Sequence, residues 1–329
     1  MKIAVDVMGG DYAPGEIIKG SIDAVVSDGI KVILVGQEEL IQEELKKYRY
    51  PAGHVSIIHA SEVIGMHEHP AKSVRRKKDA SLVVATKIVK RGQASAVVSA
   101  GNTGAQMAAA LFELGRIPGI ERPGIATVLP SPTGPKVLID SGANVDVKAQ
   151  HLEQFARLGS AYAEGVLGIE NPQVALLNVG SEPSKGNEVV IEAYQLLKQG
   201  DLNFSGNIEG REIFQTDVDV IVCDGFVGNI TLKATEGIVA ALMTMMRAEL
   251  RKNPLRVLGG VLAKPGIKDI VKKLDYSEYG GAPLLGVEGV SIICHGSSKA
   301  RAIRNAIRYA YQTAQSEMLD MIARGFHEG

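Results

Sequence analysis

The chain has 329 residues, of which 45% are hydrophobic and 22% are charged, and its formal net charge is −1. This length and composition suit one large or two smaller globular domains, and the balanced charge creates no field that would select a polyanionic partner such as nucleic acid. The absence of Trp also disfavours a nucleic-acid surface built on stacked aromatic side chains.

The cysteines and the N-terminus indicate the compartment. Two cysteines do not make a disulfide framework, so a reducing environment is expected. The first residues enter a strand-like run directly and lack the apolar core of a signal peptide. No apolar stretch approaches the roughly 18 residues that a membrane-spanning helix needs. The sequence therefore predicts a soluble, cytoplasmic protein.

Short runs rich in Val and Ile recur along the chain and predict β-strands. They occupy residues 2–7, 31–35, 55–59, 96–99, 136–139, 174–178, 218–223 and 291–294. Helical periodicity predicts α-helices between most of them, at residues 15–26, 82–89, 103–114, 148–166 and 188–197. This alternation predicts an α/β fold, a three-layer α/β/α sandwich around a mostly parallel sheet. No linker divides the chain, so we expect one domain over residues 1–329, with two lobes around a cleft as the alternative.

Glycine and short polar side chains follow most of the predicted strands. These loops comprise residues 8–11, 100–104, 141–144, 180–186, 224–229 and 295–298. Ligands of parallel sheets bind beyond the carboxyl ends of the strands, and glycine lets the backbone turn sharply or approach a ligand closely. Any one of these loops is more readily explained as a simple connection. Together, at one edge of one sheet, they predict a polar cleft lined by glycine.

The loop that follows the strand at 174–178 is the best candidate for an anion site. It ends where a helix begins, and the unpaired N–H groups of a first helical turn carry partial positive charge. Lys185 lies among turn-forming residues, so the exposed face of a regular helix does not explain it. We therefore expect Gly180, Lys185 and Gly186 to bind an anion.

The loops do not match the common nucleotide-binding motifs. None contains the Gly-Lys-Ser/Thr of a Walker A loop, and the Gly9-Gly10 turn is not the dinucleotide fingerprint. Small phosphate groups remain plausible ligands. Lys233 lies one turn into a predicted helix, where a cation opposes the helix dipole, so either an anion lies nearby or Lys233 is an ordinary surface lysine. Further candidate cations are Lys72, Arg75, Lys299 and Arg301.

Histidines and cysteines give weaker signals. His295 lies at a strand end, where it acts either as an acid or base or as a hydrogen-bonding group of the turn. His67 and His69 lack the spacing and the further ligands of a zinc site, so we interpret them as structural or surface residues. Cys223 and Cys294 end apolar strands, and no activating base is evident near them, so buried thiols are expected.

Three aspartates, Asp6, Asp140 and Asp224, lie at predicted strand ends. They would bind Mg²⁺ if they converged. The alternative, that each caps its own loop, is at least as well supported by the sequence.

Residues 247–275 depart from globular patterning, with eight basic residues against three acidic ones. Leu255, Leu258 and Leu262 share one helical face, and Ile270 lies on a second predicted helix beyond the Pro265-Gly266 break. Two short basic amphipathic helices with a tight turn form either a dimer arm or a surface that rests on an anionic bilayer. The two interpretations are compatible, and both remain open.

Five motifs carry a resemblance to a known family. They are MKIAVDVMGGDYAP at residues 1–14, SAGNTGA at 99–105, LIDSGAN at 138–144, LLNVGSEPSKG at 176–186 and DGFVGNITLK at 224–233. In these motifs, and in their order along essentially the whole chain, the sequence resembles the bacterial PlsX phosphate acyltransferases.

The resemblance implies a fold like that of isocitrate and isopropylmalate dehydrogenases, with residues 245–275 as a protruding helical hairpin. It implies transfer of a long-chain acyl group from acyl carrier protein to inorganic phosphate in phospholipid synthesis, without a nucleotide or metal cofactor. It also implies a homodimer, peripheral association with the inner face of the cell membrane, and a downstream acyl-phosphate:glycerol-3-phosphate acyltransferase.

The chemistry of this reaction suggests roles for individual residues. Lys185 would supply the main charge, Asn229 or Asn102 would donate to the oxyanion, and His295 would protonate the leaving sulfur. The expected phosphate and substrate-binding residues are Gly10, Thr103, Gly142, Asn144, Gly180, Gly186, Gly228 and Lys233. An acidic carrier protein would dock on Arg75, Arg76, Lys77 and Lys78 or on the basic arm.

Three other functions remain open at this point. A metal-dependent decarboxylating dehydrogenase would share the architecture but would need NAD(P)⁺ and Mg²⁺. A coenzyme-A phosphotransacetylase would differ only in its thioester donor. A membrane scaffold without activity would need only the basic arm, and the many Gly and Asn loops argue against it.

Overall fold

One continuous sheet runs through the computed structural model, which describes residues 1–274 and 280–327 and omits the side chains of 269–274 and 327. In chain order the described strands are β1 (Lys2–Asp6), β2 (Lys31–Gly36), β3 (Val55–His59), β4 (Ala96–Ser99), β5 (Gly124–Leu129), β6 (Lys136–Ile139), β7 (Val174–Asn178), β8 (Phe204–Glu209), β9 (Val220–Val222), β10 (Ala282–Leu285) and β11 (Val290–Ile293). Their order across the sheet is β3-β2-β1-β4-β11-β10-β5-β6-β9-β7-β8.

Helices connect the strands. They are α1 (Gly15–Asp28), α2 (Glu38–Leu45), α3 (Pro70–Arg76), α4 (Ser81–Lys90), α5 (Thr103–Ala109) followed by a π-helical turn (Ala110–Leu114), α6 (Ala149–Gly165), α7 (Glu188–Gln199), α8 (Gly225–Leu250), α9 (Pro254–Leu274), α10 (Ala300–Gln315) and α11 (Met318–His327).

The central strands are buried on both faces. Ile3 and Val5 of β1 belong to a core shared with α1, α6 and α10, whereas Ala4 belongs to a second core shared with α4. Successive side chains of a strand point to opposite faces, so the two cores lie on the two sides of the sheet. This explains why the strands read as continuous apolar runs, and it confirms the predicted three-layer α/β/α sandwich.

The sheet reverses direction near its centre. Strands β1 to β4 and β11 are parallel to one another, and β6, β7, β8 and β9 form a second parallel set. Between the two sets, β10 and β5 make three successive antiparallel pairings. The two sets therefore run in opposite directions. The prediction that all glycine loops leave one edge of the sheet is wrong, because the loops after β6, β7 and β9 leave the edge opposite to those after β1, β4 and β11.

Helices α8 and α9 form a hairpin joined by residues 251–253. The predicted turn at Pro265-Gly266 is wrong, because α9 continues through Pro265. The chain turns instead before Pro254, whose fixed φ suits a first helical position, and the side chain of Asn253 accepts a hydrogen bond from the N–H of Arg256 at 2.9 Å. The side chain of Ile270 lies outside the described part of the chain.

Helix α8 is far more exposed than its composition suggests. It is 26 residues long, and only 6% of its most apolar window is buried. By length and composition alone this one helix of the described chain is able to cross a membrane, although Lys233 and Glu236 interrupt its apolar residues. Its first turns nevertheless pack against the sheet, because Gly225 and Gly228 are buried.

Candidate active site

A cavity of about 470 Å³ lies where the two halves of the sheet meet. The first half contributes Asp11, Gly101, Thr103 and the segment Cys294, His295 and Gly296. The second half contributes Ser141 and Gly142 from the loop after β6, and Asn229, Leu232, Lys233 and Glu236 from α8. Although the glycine loops leave opposite edges of the sheet, residues from several of them line this one cavity.

The wall of the first half depends on close backbone packing. The N–H of Asp11 donates to the carbonyl oxygen of Gly296 at 2.9 Å. Gly10 has φ +110°, and a Cβ there would lie 3.2 Å from the same oxygen. Gly10 therefore supports the cavity wall, and Asp11 and Gly296 form it.

Two buried aspartates hold the loops behind the cavity. Asp6 accepts hydrogen bonds from the N–H of Met8 at 3.2 Å and from the hydroxyl of Ser99 at 2.7 Å. Asp140 accepts from the N–H groups of Gly142 and Ala143 at 3.0 and 2.8 Å. Burial raises the pKa of both carboxyls. Both aspartates cap their own loops, which is the second of the two roles predicted for them.

Asp224 also caps its own element, because its Oδ1 accepts from the N–H of Val227 at the start of α8 at 2.8 Å. The described residues contain no group of three or more His, Cys, Asp or Glu side chains arranged to hold a metal ion.

The first turn of α8 presses directly on the loop after β6. A Cβ at position 228 would lie 1.9 Å from the carbonyl oxygen of Asp140, so only glycine fits there. Gly228 thus serves packing. The next residue, Asn229, lies across from Gly142, with its side chain 3.7 Å from where a Gly142 Cβ would be. The Asn229 side chain is exposed and makes no hydrogen bond to the described chain.

One turn further along α8, Lys233 brings a positive charge to the cavity. Its Nζ lies 2.8 Å from Oε2 of Glu236, and both side chains line the cavity. An anion that bound Lys233 would compete with this carboxylate. Glu236 was not predicted as a site residue, although its i,i+3 spacing from Lys233 indicates this ion pair.

His295 lines the same cavity. Its Nδ1 accepts the N–H of Ser297 at 3.2 Å and lies 2.7 Å from the hydroxyl of Ser297. A neutral imidazole that accepts at Nδ1 carries its proton on Nε2, so this ring is set up to donate from Nε2.

Two of the predicted site residues, Asn102 and Asn144, already use their side-chain amides within the chain. Asn102 donates from Nδ2 to the carbonyl oxygens of Met66 and Glu68 at 2.9 and 3.2 Å, and its Oδ1 accepts from Ala105. Asn144 is buried and donates to Pro123 O and to Asp140 Oδ2, both at 2.8 Å. Both residues hold loops in place. The neighbouring Thr103 lies on the cavity wall.

The loop that carries Lys185 does not line the cavity. Gly186 has φ +98° and packs on Asn178, whose Nδ2 donates to the carbonyl oxygen of Lys185 at 2.9 Å. A Cβ on Gly180 would lie 3.0 Å from Lys185 Cγ, so both glycines shape the loop. Since β7 is parallel to its neighbour β9, this loop and the N-terminus of α8 leave the same edge of the sheet.

Neither cysteine is suited to act as a nucleophile. Burial raises the pKa of Cys294, which borders the cavity, to about 12 and the pKa of Cys223 well above its usual value. Both thiols stay protonated near neutral pH, as expected for buried cysteines. His67 and His69 are exposed, also as expected.

Further cavity residues were not singled out from the sequence. They include Thr127, whose hydroxyl lies 2.7 Å from that of Ser141, and Gly280 and Gly281 at the start of β10. No catalytic pattern marks them, because they reach the cavity only through the antiparallel pairings at the centre of the sheet.

Known proteins share this sequence and fold. The model of a family described as "fatty acid synthesis protein" matches residues 1–321. The phosphate acyltransferase of Heliobacterium modesticaldum is 56% identical over 98% of this chain and 96% of its own, and that of Dictyoglomus turgidum is 49% identical over 100% and 98%. A phosphotransacetylase from Streptococcus pyogenes superposes with a TM-score of 0.62 at 19% identity over 95% and 94% of the two chains. A 4-hydroxythreonine-4-phosphate dehydrogenase from Klebsiella pneumoniae superposes with a TM-score of 0.56 at 14% identity, over 96% of this chain and 99% of its own.

The two structural likenesses confirm the dehydrogenase-like three-layer fold. The sequence matches cover nearly the full length of this chain and of each relative. The chain therefore belongs to the PlsX phosphate acyltransferase family and is an acyltransferase of fatty acid and phospholipid synthesis.

Proposed function

We propose that the chain, acting as a single domain, transfers a long-chain acyl group from an acyl carrier protein thioester to inorganic phosphate. A phosphate oxygen attacks the thioester carbonyl, the C–S bond breaks, and acyl phosphate and the carrier thiol leave. The observation that carries this proposal is that His295, Asn229 and Lys233 all line one cavity.

The reaction needs little proton transfer. Near neutral pH a large share of inorganic phosphate is already the dianion, which attacks without a general base. The leaving thiol has a pKa of about 8.5 and needs only modest help from an acid. The difficult steps are to hold a dianion against the thioester and to stabilise the oxyanion that forms.

The cavity residues fit these requirements. Asn229 donates its amide N–H to the oxyanion, and His295 donates from Nε2 to the leaving sulfur. Lys233 and, from the neighbouring loop, Lys185 hold the phosphate. Asn102 contributes by keeping the first turn of α5, and hence Thr103, at the cavity wall.

The exposed face of α8 supports the proposal that the protein is a homodimer. Apolar side chains recur along it at multiples of about four residues and remain exposed in the single chain, namely Phe226, Ile230, Ile238, Leu242 and Met245. Exposed apolar areas of this kind mark association surfaces. A second copy of the chain is the proposed occupant.

Helix α9 provides the proposed membrane contact. Leu255, Leu258 and Leu262 are exposed, and basic residues flank them. Glu249 pairs with Lys252 and Arg256, whereas Arg251, Lys264 and Lys268 form no ion pair with a carboxylate of the described side chains and are available for anionic lipid. The enzyme would thus act at the cytoplasmic face of the membrane and deliver acyl phosphate to an acyl-phosphate:glycerol-3-phosphate acyltransferase.

Comparison of thioester donors tests the proposed activity. Purified enzyme with phosphate is expected to form acyl phosphate, trapped as the hydroxamate, from long-chain acyl carrier protein with a higher kcat/KM than from the matching acyl-CoA. A preference for acyl-CoA would make the chain a coenzyme-A phosphotransacetylase instead. Activity that appeared only with NAD(P)⁺ would support the alternative that the chain is a dehydrogenase.

A further inference from the structure

A second cavity, of about 600 Å³, lies on the other side of the loop after β6. Gly142 lines the first cavity and the next residue, Ala143, lines the second. Thr103 of the first cavity and Met107 and Leu111 of the second recur every four residues, which places them on one face of α5 and the π-helical turn. Leu111 lies eight residues beyond Thr103, which is about 12 Å along the helix. The second cavity therefore adjoins the candidate active site along this helix face, and we refer to its apolar wall of Met107, Leu111, Pro123 and Ala143 as the groove.

The far end of this groove is basic. Arg116, Arg122 and Lys148 line it, and all three are exposed. Arg122 and Lys148 form no ion pair with a carboxylate of the described chain. Arg116 donates to the carbonyl oxygen of Glu121 at 2.6 Å. The one carboxylate at this rim, that of Glu121, lies 2.9 Å from Nε2 of His151. Unpaired cations at the end of an apolar groove fit a flexible chain that carries an anion at its end.

We propose that this groove binds the phosphopantetheine arm of the acyl donor, an inference that rests on the proposed function. The arm lies over Met107, Leu111 and Ala143, and its phosphate contacts Arg122 and Lys148. This placement delivers the thioester at the other end of the arm to Asn229 and His295. An acyl tail in the same groove would leave the cations without a partner, so the arm is the better occupant.

Two donors that differ only in this phosphate test the inference. Acyl-phosphopantetheine and acyl-pantetheine are compared by phosphate-dependent thiol release. The wild-type enzyme is expected to show a KM roughly tenfold lower for the phosphorylated donor, as one charge-assisted contact would give. In Arg122→Glu and in Lys148→Glu this KM ratio should fall toward one. In Lys46→Glu, an equal charge change at an exposed residue after α2, the ratio should persist.

Each outcome bears on the inference. A ratio that persists in both groove variants, or a wild-type ratio of one, overturns it. A defect of the groove variants confined to donors on the intact carrier protein also overturns it, because the rim would then contact the protein and not the arm. If no donor releases thiol in a phosphate-dependent manner with the wild-type enzyme, the proposed function itself fails, and this inference fails with it. Thermal unfolding of the variants, whose substituted side chains are exposed, confirms that they fold.

Discussion

Two glycines at the candidate site serve different purposes. Gly142 lines the cavity, whereas Gly228 allows α8 to contact the carbonyl oxygen of Asp140. The motif around Gly228 was found from the sequence, but its role was assigned to ligand binding. The spacing of glycines indicates where the backbone makes a close contact, but it does not identify what the backbone contacts. Whether that is a ligand or another segment of the chain depends on the tertiary structure.

Two glycines of α8 allow this packing role to be measured. Gly228→Ala is expected to destabilise the protein by about 1–3 kcal/mol or more, because its Cβ would overlap the oxygen of Asp140. Gly237→Ala is the matched control, since nothing lies within 4 Å of its Cβ position, and it should stabilise α8 by about 0.5–1 kcal/mol. Urea unfolding gives both values. Equal effects at the two positions would contradict the packing role.

Lys185 is the predicted phosphate ligand that the cavity wall does not include. If its loop contacts phosphate, Lys185→Ala should raise the KM for phosphate at least tenfold, because a direct charge-assisted contact is lost. Steady-state rates at varied phosphate concentration measure this, with the exposed Lys198→Ala on α7 as the control. An unchanged KM would remove the assignment and leave Lys233 as the main cation.

At the scale of the elements, the sequence predicted most strands well and missed those that determine the topology. The bounds of β3, β4, β6 and β7 agree with the structure residue for residue. The strands β5, β8 and β10 were not predicted. β10 has four residues and contains Pro283, and β8 contains Gly206 at φ +102°. Such residues weaken the local strand signal, and pairing with neighbours distant in sequence compensates for it.

The connection between β3 and α3 depends on the carboxylate of Glu68. It accepts from Nζ of Lys77 at 2.6 Å, from the N–H of Gly65 at 2.8 Å and from the hydroxyl of Ser73 at 2.9 Å. These partners lower the pKa of Glu68 to about 2 from an ordinary value of 4.5. The backbone of the same residue accepts from Asn102, so this connection borders the candidate site.

A depressed folded-state pKa gives a pH dependence of defined sign. The stabilisation by Glu68 is present above its unfolded pKa of about 4.5 and is lost as the pH falls through about 2. The wild-type protein should therefore be more stable than Glu68→Gln at pH 7, and this difference should shrink between pH 4.5 and 2. Denaturant unfolding at several pH values measures it. A difference independent of pH would show that the charge contributes nothing.

At the scale of the whole molecule, the reversal of the sheet creates the cleft. Because β10 and β5 reverse the direction of the chain, loops from oppositely directed strands meet around the cavity. The sequence predicted that polar loops converge, but it placed them all at one edge, as an uninterrupted parallel sheet would. The difference follows from the unpredicted strands, whose pairings join residues far apart in sequence.

The hairpin of α8 and α9 gives the molecule its proposed membrane surface. Leu258→Glu places a negative charge on the exposed apolar face of α9 and should release the protein from vesicles that contain anionic lipid. Val26→Glu makes the same change at an exposed position of α1 and should leave binding intact. Sedimentation with vesicles measures the bound fraction. Retention of the Leu258 variant would leave α9 as a dimer arm alone.

The most direct test of direct attack by phosphate is single-turnover thiol release from a long-chain acyl carrier protein, with EDTA present, measured with and without phosphate. Direct attack predicts no thiol release without phosphate. With ¹⁸O-labelled phosphate, direct attack predicts stoichiometric release of the carrier thiol. It also predicts an acyl phosphate that keeps all four labelled oxygens, one of which bridges the acyl carbon and phosphorus. Release of the carrier thiol in the absence of phosphate, with the acyl group left on the enzyme, would show an acyl-enzyme intermediate and contradict the account.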